Sequence, residues 1–258
     1  MKTGTKWALL GSAVVLGIAI AERAAPLRKR TRPQLRRDAR NLAMGAACAA
    51  VVQAVEVPLV QAIARSNERQ GAGIAQKMPR GLQTVAGVLA MDYGFYVWHV
   101  ATHKVPFLWR FHRVHHVDPD LTASTAVRFH AVDMVVSLPW RLVQARLSGA
   151  GPRTMTIWRN FFNLSILFHH ANLSLPGKWD RRLARIVTTP RMHGIHHARH
   201  KHLRDSNWTS GISIWDRLHG TYVDTDQPGT GVADPRAEAD VALLPSLAAP
   251  FRETPEQG

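Results

Sequence analysis

The chain of 258 residues has one cysteine, Cys48, set within an apolar run. A single thiol excludes a disulfide framework, a thiolate zinc site and a Cys-ligated iron–sulfur cluster. Alternating apolar and polar runs that would read as strands are missing, and so are sustained heptads. The stretch "GAG" at 71–73 lacks the third glycine and the preceding strand of a dinucleotide fingerprint. No haem-attachment or flavin motif occurs. Acid is scarce, with 18 Asp and Glu against 33 Lys and Arg, a net charge of +15. Seven of those acids follow residue 223 against two arginines, leaving 31 basic and 11 acidic groups, a net +20, on residues 1–223. Such a balance suits nucleic acid, but no nucleic-acid motif accompanies it. The basic residues flank apolar segments instead, so anionic lipid is the expected contact and nucleic acid is not an expected partner.

Those apolar segments are what the sequence has in quantity. Trp7–Ala21 carries no charge, Asn41–Ala64 carries one carboxylate, Glu56, and Val85–Val100 is apolar except around Asp92. Each approaches the ~20 residues that cross a bilayer. Ala131–Leu147, interrupted by Pro139 and Arg141, and Trp158–Leu175 are less regular, and the "SGAGPR" between them suggests a helical hairpin. The first segment also has the outline of a signal peptide. The Arg-rich stretch at 22–40 that follows favours an uncleaved anchor with a cytoplasmic flank. The expected fold is all-α: a multi-pass, integral-membrane helical bundle under a cytoplasmic histidine-rich di-metal cap. In that topology Val85–Val100 returns to the cytoplasmic boundary, with residues near 130 and 170 on the same side. A carboxylate in an apolar span is costly and usually functional, so Asp92 is expected either to orient a histidine or to bond between helices. Glu56 is open between packing and lining a substrate tunnel. Trp98, Trp109 and Trp215 read as interfacial anchors.

The 14 histidines are unevenly distributed. "HVATH" places His99 and His103 at i, i+4. "HRVHH" places His112, His115 and His116 at i, i+3, i+4, and "HGIHH" repeats that spacing at His193, His196 and His197. These spacings put each set on one helical face. Imidazole binds iron, zinc, copper and nickel. Eight imidazoles exceed the needs of one ion, so two metals are implied. Surface His-rich stretches also pick up metal adventitiously, but three clusters on one expected side of a membrane point to a built site.

Wider motifs carry a resemblance. "MDYGFYVWHVATH", "LWRFHRVHH", "RFH" at Arg128–His130, "FHHANL", "TTPRMHGIHH" and "ISIWDRLHGTY" together resemble the fatty acid hydroxylase / sterol desaturase superfamily of integral-membrane di-iron oxidoreductases. The match spans about residues 87–223. It implies metal binding by His99, His103, His112, His115, His116, His193, His196 and His197, with His170 as a ninth ligand. Asp92, His130, Asn172, Asp205 and Asn207 become the side chains expected to brace them. Trp215-Asp216 with Gly220-Thr221-Tyr222 would fix the fold beneath. This chain departs from the family pattern at Val100, at Ala131–Asp133 after Arg-x-His, which weakens His130 as a ligand, and at His169, where Gln is common. His200, His202 and His219 read as solvated.

The resemblance further implies two iron ions, which zinc could replace on purification, and O₂ as co-substrate. The reaction would be hydroxylation or desaturation of a C–H bond in a lipid, sterol or fatty acyl. With no redox motif in the chain, electrons would come from a separate ferredoxin- or cytochrome-like donor. Residues 1–84 would form N-terminal transmembrane helices and a basic linker, 85–223 the catalytic domain, and 224–258 an acidic Pro/Gly-rich tail with "VALLPSLAAPF" as an interfacial cover. The Ala/Arg-rich composition suggests a bacterial inner (cell) membrane, histidines on the cytoplasmic side. Two rival classes stand beside this one. A metal-dependent hydrolase would want carboxylates near its ion, and a non-catalytic metal-binding or transport protein would place its ligands within the spans.

Overall fold

Prolines and glycines set the helix boundaries. The computed structural model describes residues 3–233 and 240–252, and side chains from residue 13 onward. Residues 234–239 and 253–258 of the expected acidic tail lie outside the described residues. Helix α1 spans Thr3–Ala24, and α2 (Gln34–Val51) begins directly after Pro33. α2 runs without a break through a π-helical stretch, Val52–Glu56, into α3 (Val57–Gln70). Pro58 lacks the N–H that would bond one turn back, and a π-turn before it absorbs that loss. Gly71, in the left-handed region at φ 61°, ends α3.

Helix α4 spans Gln83–Lys104. It stops because Pro106 forces Val105 into extended backbone, and the same proline starts α5 (Pro106–His116). The interruption expected at Pro139 is present: the segment divides into α6 (Ala131–Val136) and α7 (Leu138–Ser148). α8 covers Pro152–His170, ending five residues before the expected Leu175 because the chain turns out at Ala171. Shorter helices follow: α9 (Gly177–Leu183), α10 (Pro190–His196), α11 (Lys201–Arg204), α12 (Ile214–Leu218) and α13 (Leu243–Ala248). The described residues form no strand, only two isolated bridges.

Two kinds of region result. α3, α4, α7 and α8 pack together around Val60, Met91, Ala145, Ala150 and Met155. At one end of this bundle the backbones of Gly73 and Gly149 meet, both at positive φ, leaving no room for a Cβ. Among the described residues one helical stretch, Gln34–Lys77, is long and apolar enough to cross a membrane. Leu42, Val55 and Leu59 on it are exposed. The short elements after α5 form a cap at the opposite end, strapped to the N-terminal helices by polar bonds. Glu22 of α1 is buried, and its Oε1 accepts from the Ala123 and Asn172 amides at 2.8 and 2.6 Å. The Thr31 and Arg32 amides of the basic linker donate to Asp120, and Arg37 and Arg40 pair with Asp118.

Candidate metal centre

Four elements deliver the histidines. α4 presents His99 and His103 from its last turns, α5 presents His112, His115 and His116, α8 ends on His170, and α10 with its cap carries His193, His196 and His197. α10 is started by Thr189, whose side chain accepts from the Met192 amide, with Pro190 at its first position. A Cβ at Gly194 inside "HGIHH" would displace the Arg28 guanidinium, which donates to the Pro190 carbonyl.

The nine histidines gather into two buried groups. His99, His103, His112, His116 and His196 form one; His115, His170, His193 and His197 form the other. Within each group the donor nitrogens lie within 4.8 Å of one another. The i, i+4 pairs, His112/His116 and His193/His197, each stay with one group. The i+3 residue between them, His115 or His196, crosses to the other. Each triplet therefore straddles both groups.

The hydrogen bonds fix which nitrogen faces inward. His99 Nδ1 donates to the Trp208 carbonyl at 2.6 Å, His115 Nδ1 to Arg128 at 3.2 Å, His170 Nδ1 to Ile166 at 2.7 Å, and His196 Nδ1 to Ser206 at 2.9 Å. A neutral imidazole has one N–H, so a proton held at Nδ1 leaves a lone pair at Nε2. The Nε2 atoms of His115 and His170 nevertheless face each other at 3.0 Å. His193 Nε2 lies 3.1 Å from both His170 Nε2 and His197 Nε2. The lone pairs of His115 and His170, both left at Nε2 by their Nδ1 donors, repel at 3.0 Å unless a cation lies between them. Burial, followed by the neighbouring rings, pushes His115, His116, His193 and His197 well below the ordinary histidine pKa. Burial does the same to His112 and His196. The neutral, ligating form is thus the stable one. The donor set is all nitrogen and suits a transition ion such as iron, zinc, copper or nickel.

The expected bracing residues are distributed differently. Asp205 Oδ1 lies 3.8 Å from His103 Nδ1, and Oδ2 takes Lys104 and Lys201. Asp92 touches no histidine: Oδ2 accepts from the Ile212 amide at 3.0 Å and Trp215 Nε1 at 2.8 Å, because the Trp208 carbonyl already occupies His99 Nδ1. It is the inter-element bond, not the orienter. Asn172 bonds the backbone of Arg28, and Asn207, at φ 50°, bonds Met192 and Val223, so both brace loops. His130 stands outside both groups; its Nδ1 caps α6 by accepting from Val132, and its Nε2 bonds the Leu247 carbonyl. Trp109 is a correction too. It is buried beside His103, rings 4.8 Å apart, under the Arg204 guanidinium, because α5 turns it inward with its histidines. Trp215 is tied to Asp92, and Trp98 stacks on Trp140 at 6.2 Å. His200, His202 and His219 are exposed, as expected of solvated residues. Asp216 accepts four hydrogen bonds from Trp208, Thr209 and Thr221, fixing the loop below the centre.

Sequence reasoning missed Trp208 and the roles of two residues of "RFH", Phe129 and Arg128. Trp208 is 1% exposed and packs against His103, His196 and His99 at 4.7, 5.3 and 5.9 Å. Phe129 stacks on His115 at 4.3 Å. Arg128 is fully buried and ties the Val114 carbonyl to Ser246 and the Asp240 carbonyl, which fastens α13 across the cap. A tryptophan in the polar run "SNWTS" was the available signal for the first.

The fatty acid hydroxylase family profile matches residues 84–221, more than half the chain. The chain belongs to the fatty acid hydroxylase family. All nine grouped histidines fall inside the matched region. Ornithine lipid hydroxylase OlsE of Rhizobium tropici is 29% identical over 175 residues, covering 67% of this chain and 51% of that protein. Alkylglycerol monooxygenase of Xenopus tropicalis is 30% identical over 138 residues, 52% of this chain and 29% of that protein. Human cholesterol 25-hydroxylase is 30% identical over 138 residues, 52% of this chain and 48% of that protein. The chain thus spans about half or less of these relatives' lengths. No solved structure matches.

Proposed function

We propose that this fatty acid hydroxylase family member is a membrane-bound, O₂-dependent lipid hydroxylase with two irons bound by the nine histidines. The observation that carries this reading is the convergence of buried imidazole nitrogens into adjacent groups of five and four. His99, His103, His112, His116 and His196 would hold one ion, and His115, His170, His193 and His197 the other. A bound iron pair would supply the electrons that activate O₂ and the oxidant for an unactivated C–H bond, which zinc cannot. The protein's own contribution is placement. Backbone carbonyls on Nδ1 hold His99, His115, His170 and His196 in their ligating tautomer, and Trp208, Trp109 and Phe129 pack against the rings. A cavity of about 500 Å³ opens on His99, His112, His115, His170 and His193, giving an alkyl chain a route to the metals.

The relatives named above are hydroxylases and a monooxygenase, which favours hydroxylation over desaturation. The donor groups contain no carboxylate, against a hydrolytic centre. The multi-pass reading places Gln34–Lys77 across the bilayer, with α1, α4 and α8 beside it. The Arg-rich linker is bonded to the cap through Asp118 and Asp120, so the cap shares its side, cytoplasmic by charge bias, of a bacterial inner membrane. Residues 85–223 act as the catalytic domain beneath N-terminal helices 1–84, and part of the 224–258 tail covers the cap. A ferredoxin- or cytochrome-like donor with an acidic face would dock on this basic side. Incubating protein reconstituted in lipid with a reductant, ¹⁸O₂ and candidate lipids tests the reading. ¹⁸O in a hydroxylated product is expected; reductant-independent product without ¹⁸O would replace it with a hydrolytic one.

A further inference from the structure

The cavity that reaches the histidines is not uniformly apolar. Phe95, Trp98, Val60, Met155 and Phe162 line it, but so do Asp133, Glu56 and Arg141. The two acids differ in how they are bonded. Glu56, at the end of the π-turn, is paired with Arg141 at 3.0 Å, and Arg141 Nε donates to Ser137. That pair neutralises itself. Asp133 is 5% exposed and lines the cavity. The nearest cation, Arg141, acts on it only through its field while pairing with Glu56, and among the described residues the Asp133 carboxylate has no hydrogen-bond donor. A buried carboxylate ordinarily has one, because an unsatisfied charged acceptor loses its hydration without return. Its position in the first turn of α6 explains an acid at the helix start. An exposed acid would serve that purpose as well, so the dipole does not explain burial against a cavity.

The cavity runs beside α8 from His170 to Met155, about 22 Å at the usual rise of an α-helix. Asp133 lies three residues after His130 and four after Phe129, which stacks on His115. We infer that Asp133 is a specificity-determining residue that accepts a hydrogen bond from a hydroxyl or ammonium group on the substrate, making the preferred lipid an amphiphile with a donor group within the cavity rather than a plain hydrocarbon. This rests on the lipid-hydroxylase reading and names the chemistry of its substrate. The matched partner for Asp133 is a donor, because the carboxylate offers only acceptors.

The test is equilibrium binding, independent of turnover. Full-length protein in nanodiscs carries a pyrene-labelled alkane, displaced in turn by dodecane, dodecan-1-ol and dodecylamine. A hydrogen bond to a charged group predicts that one or both donor-bearing ligands bind about tenfold or more tightly than dodecane. Asp133→Asn should narrow that ratio to a few-fold while leaving dodecane affinity and metal content unchanged; Asp133→Glu should restore it. Preference for the amine alone assigns the group as a cation, and preference for both assigns a general donor. Equal binding of all three by the wild type, or an undiminished preference in Asp133→Asn, overturns the inference while leaving the lipid reading intact. Failure of every alkyl ligand to bind sinks the lipid reading itself. Should Asp133→Asn not fold, carbodiimide labelling of Asp133 in the wild type decides: dodecan-1-ol is expected to reduce labelling more than dodecane does, and equal labelling overturns the assignment.

Discussion

The cap and the α2–α3 helix are inside-out relative to each other. In the cap the buried residues are polar: His116, His196, Arg128, Asn207 and Asp216 are wholly enclosed. On α2–α3 the outward residues are apolar, Leu42 at 60% exposure and Val55 at 42%. Each arrangement is unfavourable in the other's surroundings. Buried imidazoles with facing lone pairs favour a cation among them, and an outward apolar helix is more stable in lipid than in water. The contrast is what the proposed pair of partners accounts for, a metal pair at one end and a bilayer around the other.

The largest expected effect comes from breaking the cap. His193→Ala removes a donor whose Nε2 faces two others in the four-histidine group. Outer hydrogen-bond partners of metal ligands are worth about 10–100-fold, so losing the ligand should cost more than about 100-fold in activity, with metal content by elemental analysis falling in parallel. Unchanged metal content would detach His193 from the centre. Trp208→Ala should follow, costing about 3–5 kcal/mol as a large buried aromatic is truncated, read as a lowered melting temperature with bound metal present.

Val55→Lys addresses the other region. In water an exposed substitution costs within about 0.5 kcal/mol; near mid-bilayer a lysine costs about 2.5–3.5 kcal/mol. Reduced recovery in the membrane fraction is expected, and full recovery would place this face in water. The smallest effects concern acid. Buried imidazoles whose pKa lies well below the ordinary value stay neutral as pH falls through about 6.5, the unperturbed value. Metal should therefore be retained at pH 6 and lost only on further acidification, as the folded-state values are approached. His200 and His202 are exposed and lie outside both histidine groups. His200→Ala/His202→Ala should leave the titration of metal against pH unchanged, and a shift would make them ligands.

The sequence made some of this legible because helical spacing is a local property. The i, i+3, i+4 triplets and the proline boundaries at Pro106 and Pro139 follow from neighbours in the chain. His170, known only through resemblance, does lie with the others. What stayed hidden depends on distant partners. The five-and-four division arises from how α4, α5, α8 and α10 face one another, and no spacing states which ring crosses over. Trp109 looked interfacial because its hydrophobicity alone does not say which way α5 turns. For Asp92 the choice between orienting a histidine and bonding between elements is decided by Trp215, 123 residues away. Glu22, which ties two cap loops to α1, lies wholly outside the family match.

The central claim is a coupled pair of irons in the nine-histidine centre. Mössbauer spectroscopy with metal analysis on detergent-purified protein from ⁵⁷Fe-grown cells tests it most directly. Two irons per chain in a spin-coupled pair are predicted. One ion per chain, or stoichiometric zinc despite ample iron, would contradict the account and remove C–H oxidation as the reaction.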